Sequence, residues 1–209
     1  MQTPEPSDPR SFWESRYRSA KIEEVSWYEP VPHLSLALLE IGEAEPSDPV
    51  IDIGGGASTL AEALTTRGFT DVTVLDASEE ALRVAQDRWP TSADVTWRVA
   101  DLLQWQPDRT WKYWHDRAVF HFLTDSSDRE TYRKLLRQAV QIGGVVAIAT
   151  FSEDGPTMCS DLTVERYSTE QLVAEMGPGF VLISSGHYVH HTPSDAKQPL
   201  SWAVMRRTS

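Results

Sequence analysis

Two short β-branched runs constrain the fold of this chain more than any other feature. Val50-Ile51-Asp52-Ile53 ends in Gly54-Gly55-Gly56, and Val72-Thr73-Val74-Leu75 ends in Asp76. A helical pattern over 58–67 follows the first run, and another over 78–89 follows the second. An apolar run, a turn and a helix, repeated, make a β-α-β unit with parallel strands. Glycines at such a turn let the backbone approach a ligand closely and adopt positive φ without steric cost. An acid about 20 positions further on, at the tip of the next parallel strand, stands where a ribose presents its hydroxyls. An adenosine-type cofactor follows from that pair.

A dinucleotide fingerprint would place a glycine or alanine where this chain has Thr59, so that the helix packs closely on the strand. The other landmarks are different: Asp52 two residues before the first glycine, a second acidic strand end at Val99-Ala100-Asp101-Leu102, and Gly143-Gly144 opening the run Val145-Val146-Ala147-Ile148-Ala149. In that order they resemble the class I S-adenosylmethionine (SAM)-dependent methyltransferases over roughly residues 48 to 207, with Ser58 in place of the family's usual third glycine. The resemblance implies SAM as cofactor. It sets the backbone of Gly54, Gly55 and Gly56 against the methionine and ribose, Asp76 and its neighbour Ala77 at the ribose hydroxyls, Asp101 at the adenine amino group with Leu102 offering an amide, and Asp52 toward the methionyl ammonium.

Strands are read at 49–53, 72–76, 95–100, 111–116, 144–151, 180–189 and 199–206, with helices between them. Asp8-Pro9 reads as an N-cap and first helical residue. Ser127 with Glu130, and Ser168 with Gln171, read as capping boxes. The last two strands are joined by a turn at 191–195, a closing hairpin that matches the family's sheet order. The expected fold class is therefore α/β: a Rossmann-like seven-stranded sheet of order 3-2-1-4-5-7-6, the seventh strand antiparallel, with helices on both faces. Residues 1–47 read as a disordered tail (1–7) and an N-terminal helical lid, and 48–209 as the SAM-binding domain, in one compact unit.

The fourth strand runs into Trp114-His115-Asp116-Arg117-Ala118-Val119-Phe120-His121-Phe122. Its Asp-Arg-Ala is similar to the Asp-Arg-Gly of thiopurine and related thiol methyltransferases, where the segment borders sulfonium and acceptor. The resemblance makes Asp116, Arg117 and His121 the candidate catalytic residues, Asp116 nearest the sulfonium. Histidine is the side chain able to take a proton near neutral pH, although a packing role between Phe120 and Phe122 competes for His121. The opening Phe12-Trp13-Glu14-x-x-Tyr17 and Ser26-Trp27-Tyr28 is similar to that of the thiol, halide and metalloid methyltransferases and to that of the methyltransferase-like lysine methyltransferases. This implies that Trp13, Tyr17 and Trp27 lie over the cofactor.

The expected function is methyl transfer to a small-molecule nucleophile (S, N, O, halide or metalloid) by in-line displacement. A protein lysine methyltransferase is the alternative within the class. From other classes come an NAD(P)-type domain, which Thr59 and the closing hairpin argue against, and a non-catalytic SAM-binding subunit. Cys159, His187, His190 and His191 match no closed zinc pattern, and no metal is expected. With 19 Lys and Arg against 31 Asp and Glu the net charge is −12, which disfavours nucleic-acid partners because phosphate backbones are held by clustered cations. There is no apolar stretch of membrane-spanning length and a single cysteine, so a cytoplasmic monomer or homodimer is the expectation.

Overall fold

The computed structural model describes residues 8–89 and 94–209; the expected tail at 1–7 lies outside them. The chain runs α1 (Pro9–Ser19), a 3-10 turn (Ile22–Glu24), α2 (His33–Ile41), β1 (Val50–Ile53), α3 (Leu60–Thr66), β2 (Val72–Asp76), α4 (Glu79–Arg88), β3 (Val95–Val99) and β4 (Trp111–Arg117). A second 3-10 turn (Phe120–Phe122) leads to α5 (Ser126–Ala139), β5 (Val140–Phe151), β6 (Met158–Cys159), β7 (Leu162–Thr163), α6 (Thr169–Met176), β8 (Phe180–His191) and β9 (Lys197–Arg207). Seven strands form one sheet of order β3-β2-β1-β4-β5-β9-β8. The neighbours from β3 to β5 are parallel, while β9 runs antiparallel to both β5 and β8. Numbering only the strands of this sheet gives the expected order 3-2-1-4-5-7-6.

Both faces of the central strands are covered, which is why β1 and β2 are buried at every position and read as continuous apolar runs. On one face Leu34, Leu38 and Leu39 of α2 pack with Val50, Tyr113, Val145 and Val204. On the other, Tyr132, Leu135 and Leu136 of α5 pack with Ile51, Trp114, Val146 and Met205. Helix α2 is thus part of the body. Helix α1 has no buried residue and lies over the strand tips.

Asp8 caps α1, accepting from the Arg10 amide at 3.1 Å, with Pro9 as first residue, and Ser168 and Gln171 close their capping box on α6. The box expected at Ser127 and Glu130 does not form. Helix α5 starts one residue earlier, after Asp125, and Glu130 is engaged by Arg133 at 2.8 and 3.1 Å. The fifth strand begins at Val140, directly after α5, instead of at 144, because Gly143 (φ +82°) lets the chain bend within the strand. The hairpin β6–β7 follows β5 and was not anticipated.

Candidate cofactor and acceptor site

The carboxyl ends of β1, β2 and β4 meet where the strand order reverses, and the loops leaving them carry the expected residues. Gly54 and Gly56 have φ of +60° and +47°. A Cβ at Gly54 would collide with Val119 after β4, and one at Gly55 with Asp52 and Val74. At Gly56 it would lie 3.0 Å from Asp76 Oδ2 and 2.7 Å from the Tyr17 hydroxyl. Arg88 pins the following residues, donating to the carbonyls of Ala57 (2.9 Å) and Ser58 (2.5 Å). Only glycine fits this cradle.

Asp76 is buried at the tip of β2, where Oδ1 accepts from the Ser78 amide at 2.8 Å. Burial, with the nearby carboxylates of Asp52 and Glu14, pushes its pKa up to about 7. Ala77 beside it is half-buried. Asp101, after β3, accepts from the Leu103 amide at 3.0 Å and from the Gln104 side chain at 2.8 Å, while Leu102 is buried. Asp52 and His115 are register partners on β1 and β4, and Asp52 Oδ1 lies 2.7 Å from His115 Nδ1 with both side chains buried. Asp52 therefore already has a partner inside the sheet, one that sequence reading missed. The signal was the shared place of these residues one position before Ile53 and Asp116, which are themselves paired.

The β4 tip departs from expectation at two of three positions. Side chains alternate across a strand, which sends Asp116 to the α5 face. It is fully buried there and accepts from Tyr132 (2.7 Å) and from the amides of Val119 (2.9 Å) and Phe120 (3.3 Å). Burial raises its pKa to about 6, with those bonds holding it down. Both oxygens are committed to structure, so the expectation that Asp116 stands nearest the sulfonium is corrected. His121 is fully buried, with ring centroids 4.5 Å from Phe122 and 4.7 Å from Phe151. Its Nδ1 accepts from the Phe151 amide at 3.4 Å, and burial drives its pKa down to about 3. His121 is neutral at physiological pH and packed, so it has neither the protonation range nor the exposure of a general base.

Arg117, on the opposite face, lies beside the lid. Nη2 donates to the Trp27 carbonyl at 2.5 Å and Nη1 pairs with Glu29 at 2.8 Å. Trp27 packs edge-on against Trp13 (5.9 Å between centroids) and Tyr17 (6.1 Å), and Trp13 against Phe122 (5.4 Å). Glu14 of α1 accepts from the Glu79 amide at 2.6 Å at the start of α4, a helix cap supplied from across the molecule. Cys159 of β6 is buried, and burial lifts its pKa to about 11 against the opposing pull of Arg16 and Arg117. The space between Trp27, Ala57 and Arg117 is about 10 Å³. A depression of about 530 Å³ lies between α1 and Glu79 and is lined by neither the glycine turn nor the β4 tip. The remaining histidines diverge. His187 lies 3.4 Å from Ser201, His191 3.4 Å from Asp195, and His190 is engaged by Glu29 and Ser26.

Residues 50–144 match the model of a family described as a methyltransferase domain, spanning the strands and turns that build this site. The stretch from 50 to 144 is thus similar to a methyltransferase domain. The chain is similar in structure to a SAM-dependent methyltransferase from Anabaena variabilis (TM-score 0.76, 20% identity, 97% of this chain and 96% of that one). It is also similar to the N-methyltransferase NodS of Bradyrhizobium japonicum, solved with S-adenosyl-L-homocysteine (TM-score 0.70, 14% identity, 97% and 100%). At those identities the likeness is one of fold, that of the class I SAM-dependent methyltransferases. Among curated proteins, a mouse eEF1A lysine and N-terminal methyltransferase is 23% identical over 139 residues, 66% of this chain but only 20% of the mouse protein. Among the described residues no helix is long and apolar enough to cross a membrane.

Proposed function

We propose that the chain transfers a methyl group from SAM to a small-molecule nucleophile, between the glycine turn and the aromatic lid. The carrying observation is the cradle at Gly56, where a side chain would strike both the buried carboxylate of Asp76 and the hydroxyl of Tyr17. The residues present fit SAM: a positive-φ backbone for close approach, a buried strand-tip acid with an oxygen directed at the cradle, and aromatic faces that attract a cation. SAM supplies a methyl group already activated by its sulfonium charge. Gly54, Gly55 and Gly56 admit the methionine and ribose portions, Asp76 accepts from the ribose hydroxyls, and Asp101 with the Leu102 amide orients the adenine. Trp13, Tyr17 and Trp27 exclude water and hold the acceptor in line, so positioning supplies most of the rate. With His121 neutral and Asp116 spent on its own turn, the site favours an acceptor nucleophilic without a protein base, such as a thiolate or halide.

A lysine acceptor is the second reading, favoured by the mouse relative. Two measurements test these readings. Calorimetry should show binding of SAM and S-adenosylhomocysteine but not of NAD(H) or NADP(H). Labelled SAM offered with thiols, halides, metalloids, azoles, phenols and lysine peptides should mark a small molecule; labelling of peptides alone would replace the small-molecule reading with the lysine one.

A further inference from the structure

We propose that His190, at the far end of β8, is a positioning residue that holds the lid turn shut as a doubly protonated imidazolium. The proposal rests on the reading that this turn closes the cofactor site. Nδ1 of His190 lies 2.8 Å from Glu29 Oε1, and Nε2 lies 2.7 Å from the Ser26 carbonyl oxygen. A carbonyl oxygen only accepts. Burial pushes the Glu29 carboxyl up, but the hydrogen bond at His190 and the guanidinium of Arg117 act against it, and the group lies below the usual carboxylate range. Glu29 is therefore an acceptor as well. A neutral imidazole has one N–H and one lone pair, and a lone pair facing either oxygen at these distances would be repulsive. Both nitrogens donate, and the ring carries a positive charge while being 3% exposed.

Three elements converge on the turn. Arg117 from the β4 tip forms an ion pair with the second oxygen of Glu29 at 2.8 Å and donates to the Trp27 carbonyl at 2.5 Å. Thr59, the N-cap of α3, donates its hydroxyl to the Glu29 carbonyl at 3.0 Å. His190 supplies the third hold, from 161 and 164 residues away. The charged and titratable groups facing this cluster are Glu29 and His33 on the N-terminal side, Arg117 from β4 and Tyr188 on β8. The hydrogen-bond partners of His190 are Glu29 and Ser26. It acts through Ser26 and Glu29, which flank Trp27, and Trp27 packs on Trp13 and Tyr17 over the glycine turn. Loss of one ring proton leaves a lone pair against an acceptor, and that contact opens. Closure is thus strongest while the imidazolium persists and weakens as the pH rises.

Two measurements on the full chain test this. In a ring-nitrogen correlation spectrum of the histidine-labelled protein at neutral pH, assigned by the peak missing in His190→Gln, both nitrogens of His190 should resonate as protonated; a neutral tautomer overturns the proposal. Calorimetry of S-adenosylhomocysteine across about pH 6–9 should show affinity falling on the alkaline side. In His190→Gln affinity should be on the order of tenfold weaker and that limb lost, while kcat at saturating SAM changes far less than KM. In the shape-preserving Glu29→Gln the limb should move to lower pH, because the imidazolium has lost its counter-ion. Affinities and limbs unchanged in both variants would overturn the role. If the wild type binds no S-adenosylhomocysteine, the cofactor reading fails, and the spectrum still decides the state of His190.

Discussion

Along the ends of β2 and β3 the acidic side chains settle within three residues of themselves: Asp76 accepts from Ser78, and Asp101 from Leu103 and Gln104. At the N-terminal turn and helix the decisive side-chain contacts are long-range. Arg117 reaches Trp27 across 90 residues, Glu14 caps a helix 65 residues away, and His190 grips Ser26 across 164. The strand tips are thus preformed by short turns, whereas the lid exists only when four distant segments are in place. Local turns survive single substitutions with modest losses; a network of buried charges loses more, because each partner left behind is uncompensated.

The largest expected effect tests whether the β4 tip belongs to the preformed part. Asp116→Ala strands three donors, from Tyr132, Val119 and Phe120, and should cost about 3–5 kcal/mol of stability by chemical denaturation. A stable variant with abolished turnover would return Asp116 to the reaction.

His121→Ala should cost about 2–3 kcal/mol through the cavity left between Phe122 and Phe151. The pH dependence has a definite sign. With a folded pKa of about 3 against about 6.5 unfolded, the unfolded chain binds the extra proton. Stability is lost as the pH falls from about 6.5 toward 3. His121→Phe should be less acid-sensitive over that window in pH-titrated unfolding, and a pH–rate limb near neutrality should persist in it.

Asp76→Ala removes the ribose acceptor and should weaken SAM binding at least tenfold, roughly 1.5–3 kcal/mol. The carboxyl with pKa about 7 binds best ionised, so its own contribution to affinity should rise with pH up to about 7 and be constant above. Asp76→Asn should abolish that rise, and calorimetry in buffers of different ionisation heat should detect the released proton in the wild type alone. This limb runs opposite to the one assigned to His190, which separates cradle from lid in a single titration.

The smallest effect concerns Ala118, whose φ of +69° places a non-glycine residue in the left-handed region between Arg117 and Val119. Ala118→Gly should relieve about 0.5–1 kcal/mol, read as a higher midpoint in thermal unfolding. A lower midpoint would mean that the alanine methyl is needed for packing at the tip.

Periodicity and turn chemistry were sufficient for the alternating strands and helices, the closing hairpin and the acids at the strand tips, because each of those features is encoded within a few consecutive residues, whereas the strand order came from the family resemblance. The same reading placed Asp116 at the reacting centre, since a motif shows which residues sit at a tip but not which face each side chain takes. His190 read as one of several histidines near a turn. Glu14 and Glu29 had no sign of a role, for their partners lie 65 and 161 residues away. Sequence alone determined the parallel sheet and the cradle of Gly54, Gly55, Gly56 and Asp76, where local conformation and the chemistry coincide. Only the tertiary structure decided that His121 is neutral, that Asp116 is spent on its own turn, and that the lid is held by charges from both ends of the chain. Those outcomes depend on burial and on long-range pairing, and neither exists until the chain has folded.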